Sequence, residues 1–186
     1  MSDVALLVID VQESFRHRPF WSEADVPLFT ERLQALIDGA AARRIPVLQV
    51  FHVAETGPFA VESGHVRTLE PIVIAPAAMF HKRRHSALVD TGLAGWLTQR
   101  GIRRLIVSGI RTEQCCETTT RHASDSGWQV DYVTEATLTF AMTHPDGRSF
   151  SPDDIKARTE LVLVDRFARI ATVSQALAGR DLPVAA

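Results

Sequence analysis

The stretch Arg104–Ser126 reads RLIVSGIRTEQCCETTTRHASDS. Its first seven residues, Arg104–Ile110, form an apolar run without polar alternation, as expected of a strand covered on both faces. From Thr112 the pattern changes. Cys116, Thr119, Thr120 and Ala123 recur at helical spacing, which predicts a helix over Thr112–Ser126 with one packed face. A buried strand running straight into an amphipathic helix is half of a parallel βαβ unit.

The rest of the chain repeats that unit. Val4–Ile9 is a continuous apolar run and reads as the first strand. Leu28, Phe29, Leu33, Leu36, Ile37 and Ala40 place a helix over Pro27–Arg43. Pro46–Phe51 and Ala77–Phe80 read as the second and third strands. Leu93, Trp96 and Leu97 mark a helix ending near Gly101. Gln129–Thr134 is a fifth strand, Asp153–Val164 a helix and Arg169–Val173 a sixth strand. The predicted fold class is a three-layer α/β/α domain with a mostly parallel, six-stranded, Rossmann-like sheet. Ala54–Glu70 and Thr143–Asp153 read as polar loops, and Gly179–Ala186 as a loose tail. No linker composition separates them, so one domain over residues 1–186 is expected.

Composition narrows the function. The chain has 186 residues, 46% hydrophobic and 23% charged, which suits a globular core. The net charge of −2 gives no bulk attraction to nucleic acid or to an anionic membrane. No stretch reaches the roughly 18 apolar residues of a membrane span. The start MSDVALLVID lacks a signal-peptide pattern. The two cysteines, Cys115 and Cys116, are neighbours, so they cannot form an ordinary structural disulfide. These features predict a cytoplasmic protein with no nucleic-acid or membrane partner. The Gly-rich dinucleotide fingerprint is absent after the first strand, where Asp10-Val11-Gln12 stands instead.

In an open parallel sheet, ligands bind beyond the carboxyl ends of the strands. There the sequence places Asp10 after the first strand, His52 after the second, and His81-Lys82-Arg83-Arg84-His85 after the third. Arg111 to Cys115 follow the fourth, and Glu135-Ala136 the fifth. A carboxylate, a lysine and a thiol thus meet at one edge. Thr112 is a plausible N-cap, which makes Cys115 the third helical residue. The helix N-terminus and a nearby Lys82 would both favour a thiolate, and free amides there suit an oxyanion hole. Each residue also has a plainer reading: Cys115 as a small buried hydrophobe, Asp10 as a turn cap, and Lys82 as part of a solvated basic loop. Cys116 reads as packed filler, and His122 as structural.

Three motifs resemble the isochorismatase-like cysteine hydrolases, a family including nicotinamidases, N-carbamoylsarcosine amidases and isochorismatases. LLVIDVQESF (Leu6–Phe15) is similar to the family's opening strand with its Asp-x-Gln. HKRRHSAL (His81–Leu88) is similar to its Lys-x-x-x-Ser-Ala-Phe segment, with Leu88 for Phe. VSGIRTEQCCETTTRHA (Val107–Ala123) is similar to its cysteine signature, with Glu113 for Asp and Cys116 for Val. The resemblance covers the chain to about Val173.

It implies a catalytic triad of Asp10, Lys82 and Cys115, attack on an amide-type carbonyl, and a thioester. It also implies a cis peptide at Ile110–Arg111, aiming the Arg111 and Cys115 amides into an oxyanion hole. Phe15, His52, Arg111 and Gln114 are the expected substrate-binding residues. Trp21, Phe140, Met142 and His144 are further candidates for the pocket wall, as is His17. Arg111 reads either as a substrate-carboxylate binder or as a surface or interface arginine. Nicotinamidases of the family bind a metal after the second strand. Here Val50 stands two before His52 and only His65 follows, a poor divalent set, so neither metal nor cofactor is expected. The resemblance also implies a homo-oligomer, dimer or tetramer. An isochorismatase-like vinyl-ether hydrolase and a non-catalytic binding member remain the alternatives.

Overall fold

The chain alternates strand and helix as its apolar runs dictate. In the computed structural model, which describes residues 2–179, Val4–Ile9 forms β1, Val26–Ala42 α1, Val47–His52 β2 and Ala78–Lys82 β3. Leu93–Gln99 forms α2, Arg104–Ile110 β4, Glu117–Asp125 α3 and Gln129–Leu138 β5. A short hairpin, Met142–Thr143 (β6) with Ser149–Phe150 (β7), precedes α4 at Pro152–Leu163; Arg169–Ile170 (β8) and Val173–Ala178 (α5) follow. The expected tail, Gly179–Ala186, lies outside the described residues beyond its first member.

The six-stranded sheet has the order β3-β2-β1-β4-β5-β8, and every pairing is parallel. Successive β1 side chains point to opposite faces and both faces are covered. Leu6 and Val8 join the core under α1 and α5, with Phe29, Leu33, Leu36 and Ala176. Ala5, Leu7 and Ile9 join the core under α2, α3 and α4, with Leu93, Leu97, Ala123 and Leu163. Double coverage is why the strands read as unbroken apolar runs. No helix of the described residues is long and apolar enough to cross a membrane.

Several elements depart from the sequence reading. β3 runs two residues further than Phe80, because Phe51 and His52 pair with His81 and Lys82 across the ladder. Lys82 is therefore a strand residue rather than part of a solvated loop. The predicted sixth strand stops at Ile170. Thr172 then caps α5 through a reciprocal bond pair with Gln175, a local interaction that overrides the apolar strand pattern. The loop expected over Thr143–Asp153 holds the β6–β7 hairpin and the Ser151 cap of α4, whose side chain accepts from the Asp154 amide. Within the loop expected over Ala54–Glu70 lie two short 3-10 turns, Gly57–Phe59 and Val61–Ser63.

Candidate active site

The site begins where β1 and β4 end side by side. Ile9 pairs with Gly109, and a Cβ on Gly109 would stand 2.0 Å from the Ile9 carbonyl oxygen. Gly109 also has φ +129, a conformation that L side chains rarely adopt. Only glycine lets the two strand ends close up. Asp10, the next residue of β1, is fully buried and itself has φ +53. Its amide bonds the Val50 carbonyl at 2.7 Å, which fixes the turn. Left-handed backbone at a non-glycine residue is strained.

Lys82 arrives from β3. His52 and Lys82 are register partners on adjacent parallel strands, so their side chains leave the sheet on the same face. The Lys82 Nζ sits 2.8 Å from Asp10 Oδ2, 3.3 Å from Cys115 Sγ, 3.1 Å from His52 Nδ1 and 3.1 Å from the Arg84 carbonyl oxygen. His52 is held in turn by Gln12. The Gln12 Oε1 accepts from the His52 amide at 2.8 Å, and its Nε2 donates to the His52 carbonyl at 3.1 Å. That is the structural work of the Asp-x-Gln spacing: Asp10 faces the site while Gln12 pins the end of β2.

Cys115 comes from a wide π turn, Thr112–Cys116, that joins β4 to α3. Arg111, not Thr112, is the capping residue, and no side chain caps this end. Thr112 instead turns inward, its hydroxyl 2.7 Å from that of Thr137. Tyr132 Oη donates to the Thr112 carbonyl at 2.7 Å, and Thr139 Oγ1 donates to Glu113 Oε2 at 2.6 Å. Two β5 residues, and Thr139 just beyond the strand, thus hold the turn. On its other side Glu117, buried, pairs with Arg121 and with Arg158 of α4. Cys116 is fully buried in the core beneath α3. His122 Nδ1 lies 2.9 Å from Ser86 Oγ, joining α3 to the segment after β3.

Burial dominates the electrostatics. It raises the Asp10 carboxyl above its ordinary value, against the opposing pull of Lys82. Burial lowers Lys82 as well, but the Asp10 and Cys115 charges outweigh it and the ammonium is stabilised overall. The Cys115 thiol is pushed up to about 12, first by burial and then by the Asp10 charge, with Lys82 opposing. This corrects the expectation of a resting thiolate: the helix start and the lysine do not outweigh a neighbouring carboxylate in a dry site. Burial, with the Lys82 and His85 charges, lowers His52 to about 4, so it is neutral over the ordinary pH range.

The other expected site residues fall into two groups. Phe15 is buried, edge-on to Phe59 at 5.1 Å, and Phe59 is edge-on to His52 at 5.6 Å. These three rings stand in line beside Lys82. Arg111 is buried rather than on the surface. Its guanidinium lies 4.8 Å from the Phe20 ring centre and 5.7 Å from that of Phe140, and it pairs with Glu113 at 2.9 Å. Its charge is therefore compensated within the fold. Gln114 is half-buried, with its amide turned back to the Arg111 carbonyl at 3.2 Å. The Ile110–Arg111 peptide is cis. Trp21 packs against Phe140 at 5.3 Å, whereas Met142 and His144 stand exposed on the β6–β7 hairpin. That hairpin forms a two-stranded sheet of its own, apart from the six-stranded one.

The pair His52 and His65 does not fit a metal. An ammonium faces His52 Nδ1, and the His65 ring stacks on His17 at 3.7 Å. Among the described residues, no group of three or more His, Cys, Asp or Glu is arranged to hold one. Sequence reasoning passed over Tyr132, Thr137, Thr139 and Glu117, which position the cysteine turn. The signal was a β5 longer than the predicted Gln129–Thr134, whose added residues carry Thr137 and lead directly into Thr139.

Comparison with known proteins bears on the family and the fold. A family model described as the Isochorismatase domain matches residues 4–172. Nicotinamidase 3 of Arabidopsis thaliana is 37% identical over 79 residues, a match spanning 42% of this chain and 40% of that protein. Streptothricin hydrolase of Streptomyces noursei is 29% identical over 188 residues, covering 94% of this chain and 66% of that protein. A crystal structure described as an isochorismatase, from Burkholderia xenovorans LB400, superposes with a TM-score of 0.85 at 32% identity, covering 95% of this chain and 86% of that one. With the fold, the three motifs and the family model in agreement, the chain belongs to the isochorismatase family of hydrolases.

Proposed function

We propose that the protein hydrolyses an amide-type C–N bond of a small molecule, with Cys115 as nucleophile, Asp10 as proton carrier and Lys82 as the cation between them. One observation carries this reading. Lys82 Nζ touches both Asp10 Oδ2, at 2.8 Å, and Cys115 Sγ, at 3.3 Å, with all three residues buried. A buried carboxylate, ammonium and thiol gathered from three strand ends are costly unless used.

The steps follow from the groups present. The Asp10 carboxylate takes the thiol proton as Sγ attacks the carbonyl carbon. The C–S bond forms, and the carbonyl electron pair moves onto oxygen. Gln114 and Cys116 have their amides turned back to the Arg111 carbonyl, at 3.2 and 3.3 Å. The Arg111 and Cys115 amides are the proposed oxyanion donors. Collapse breaks the C–N bond while protonated Asp10 returns its proton to the leaving nitrogen. Water, deprotonated by Asp10, then attacks the thioester and releases the acid and the thiol. Phe15, Phe59 and His52 would line the approach.

A screen against amides, ureido acids and nicotinamide tests this reading, with Cys115→Ala as control. Turnover that survives in Cys115→Ala would refute it. The isochorismatase-type alternative predicts pyruvate release from isochorismate, abolished by the same substitution. We also propose a dimer or tetramer, supported by apolar side chains left exposed at Val73 and Leu161; light scattering on the purified protein reads it directly.

A further inference from the structure

We propose that His52 is a positioning residue. By accepting one hydrogen of the Lys82 ammonium, it competes with Asp10 for that donor and so keeps the Asp10 carboxylate a stronger base for the Cys115 proton. The inference rests on the triad reading above and adds a role for a residue outside it.

The argument is a donor count. An ammonium has three hydrogens. Lys82 Nζ has four acceptors around it: His52 Nδ1, the Arg84 carbonyl, Cys115 Sγ and Asp10 Oδ2. The first three meet the geometry of hydrogen bonds. Asp10 is the closest of the four, at 2.8 Å, so it shares the three hydrogens with three competing acceptors. Each competitor reduces the share of the ammonium that reaches Asp10. A carboxylate held by more donors is a weaker base.

His52 suits this role because it does not change during the reaction. Two partners of Lys82, Asp10 and Cys115, gain and lose charge at each step. The other two, the Arg84 carbonyl and His52 Nδ1, stay fixed acceptors. Lys82 and His85 are the charged groups acting on His52, and both favour its neutral form. Lys82, Cys115 and His85 act on Asp10. The register pairing of His52 with Lys82 and the Gln12 clamp keep the imidazole in place.

The test is an NMR titration of the Asp10 carboxyl in 13C-aspartate-labelled wild type, His52→Phe and His52→Gln. Phe keeps a ring against Phe59 but offers no acceptor; Gln offers an acceptor without the ring. In His52→Phe the freed hydrogen turns to Asp10, and its titration moves about one pH unit towards acid. In His52→Gln it stays with the wild type. With a substrate in hand, kcat falls about tenfold in His52→Phe, and Gln restores it. An unshifted Asp10 in His52→Phe, or equal shifts in both variants, would overturn the proposal. If His52→Phe does not fold, as judged by circular dichroism, His52→Leu also lacks an acceptor and supports the same comparison. The titration needs no substrate, so its failure is distinct from failure of the triad reading, which Cys115→Ala tests separately.

Discussion

The sheet buries two carboxylates, one towards each end, and the molecule treats them in opposite ways. Asp131, in β5 near the amino edge, is fully buried and bonded through both oxygens. Arg169 Nε donates to Oδ1 at 2.9 Å and its Nη2 to Oδ2 at 3.0 Å, while Arg104 donates to Oδ2. Those arginines also reach the Gln175 and Ala176 carbonyls, so the cluster ties β4, β5 and β8 to α5. Asp10, at the carboxyl edge, is equally buried, has a left-handed backbone, and faces one ammonium that it shares with His52, Cys115 and the Arg84 carbonyl. Burial alone does not distinguish structure from chemistry here. The hydrogen-bond shell does: a carboxylate with donors of its own holds elements together, and one that shares a contested donor is available to react.

Substitution at each end should separate the two roles. Removing Asp131 as Asp131→Ala strands buried guanidinium charge and should lower stability by about 3–5 kcal/mol, read by urea denaturation. The rate per folded molecule should be unchanged. Asp10→Asn should do the reverse, lowering kcat about 10³-fold with binding retained. A large stability loss from Asp10→Asn with normal kcat would erase the contrast.

The pH profile sharpens it. Asp10 must be ionised to accept the thiol proton, and burial raises its carboxyl above the ordinary carboxylate value. Activity should therefore fall as pH drops through a point above that value, and rise again on return. Cys115 is raised too, to about 12, so its neutral form dominates near pH 7. In the absence of substrate, iodoacetamide should alkylate Cys115 at least about tenfold more slowly than a free thiol, the rate climbing towards alkaline pH. Fast labelling at neutral pH would show a resting thiolate instead. The smallest effect is expected from Tyr132→Phe. Losing the bond to the Thr112 carbonyl should cost about 1 kcal/mol in thermal or urea unfolding and slow turnover only a few-fold.

The sequence made much of this legible, and the reasons are physical. Strands covered on both faces must be apolar throughout, so β1, β2 and β4 stood out as runs, and their ends pointed to Asp10, His52 and Cys115. What stayed hidden was set by pairing and hydrogen bonding between distant residues. β3 gains His81 and Lys82 from its ladder with β2, and β5 continues to Leu138 because it pairs with the end of β4. The β5 extension puts Thr137 against the cysteine turn. Thr112 looked like a cap by its place in the chain, but the π turn moved the cap to Arg111 and spent the hydroxyl on Thr137. The thiol's charge state was misread for a related reason: helix position is local, while burial and the Asp10 charge come from the fold.

The central claim is that Cys115 carries the acyl group during turnover. Rapid acid quench of the protein with a substrate from the amide screen, followed by peptide mass spectrometry, tests it. The account predicts an acyl mass increment on the peptide holding Cys115, released by hydroxylamine and missing in Cys115→Ala. Turnover with no adduct on Cys115, or with the adduct on another residue, would contradict it.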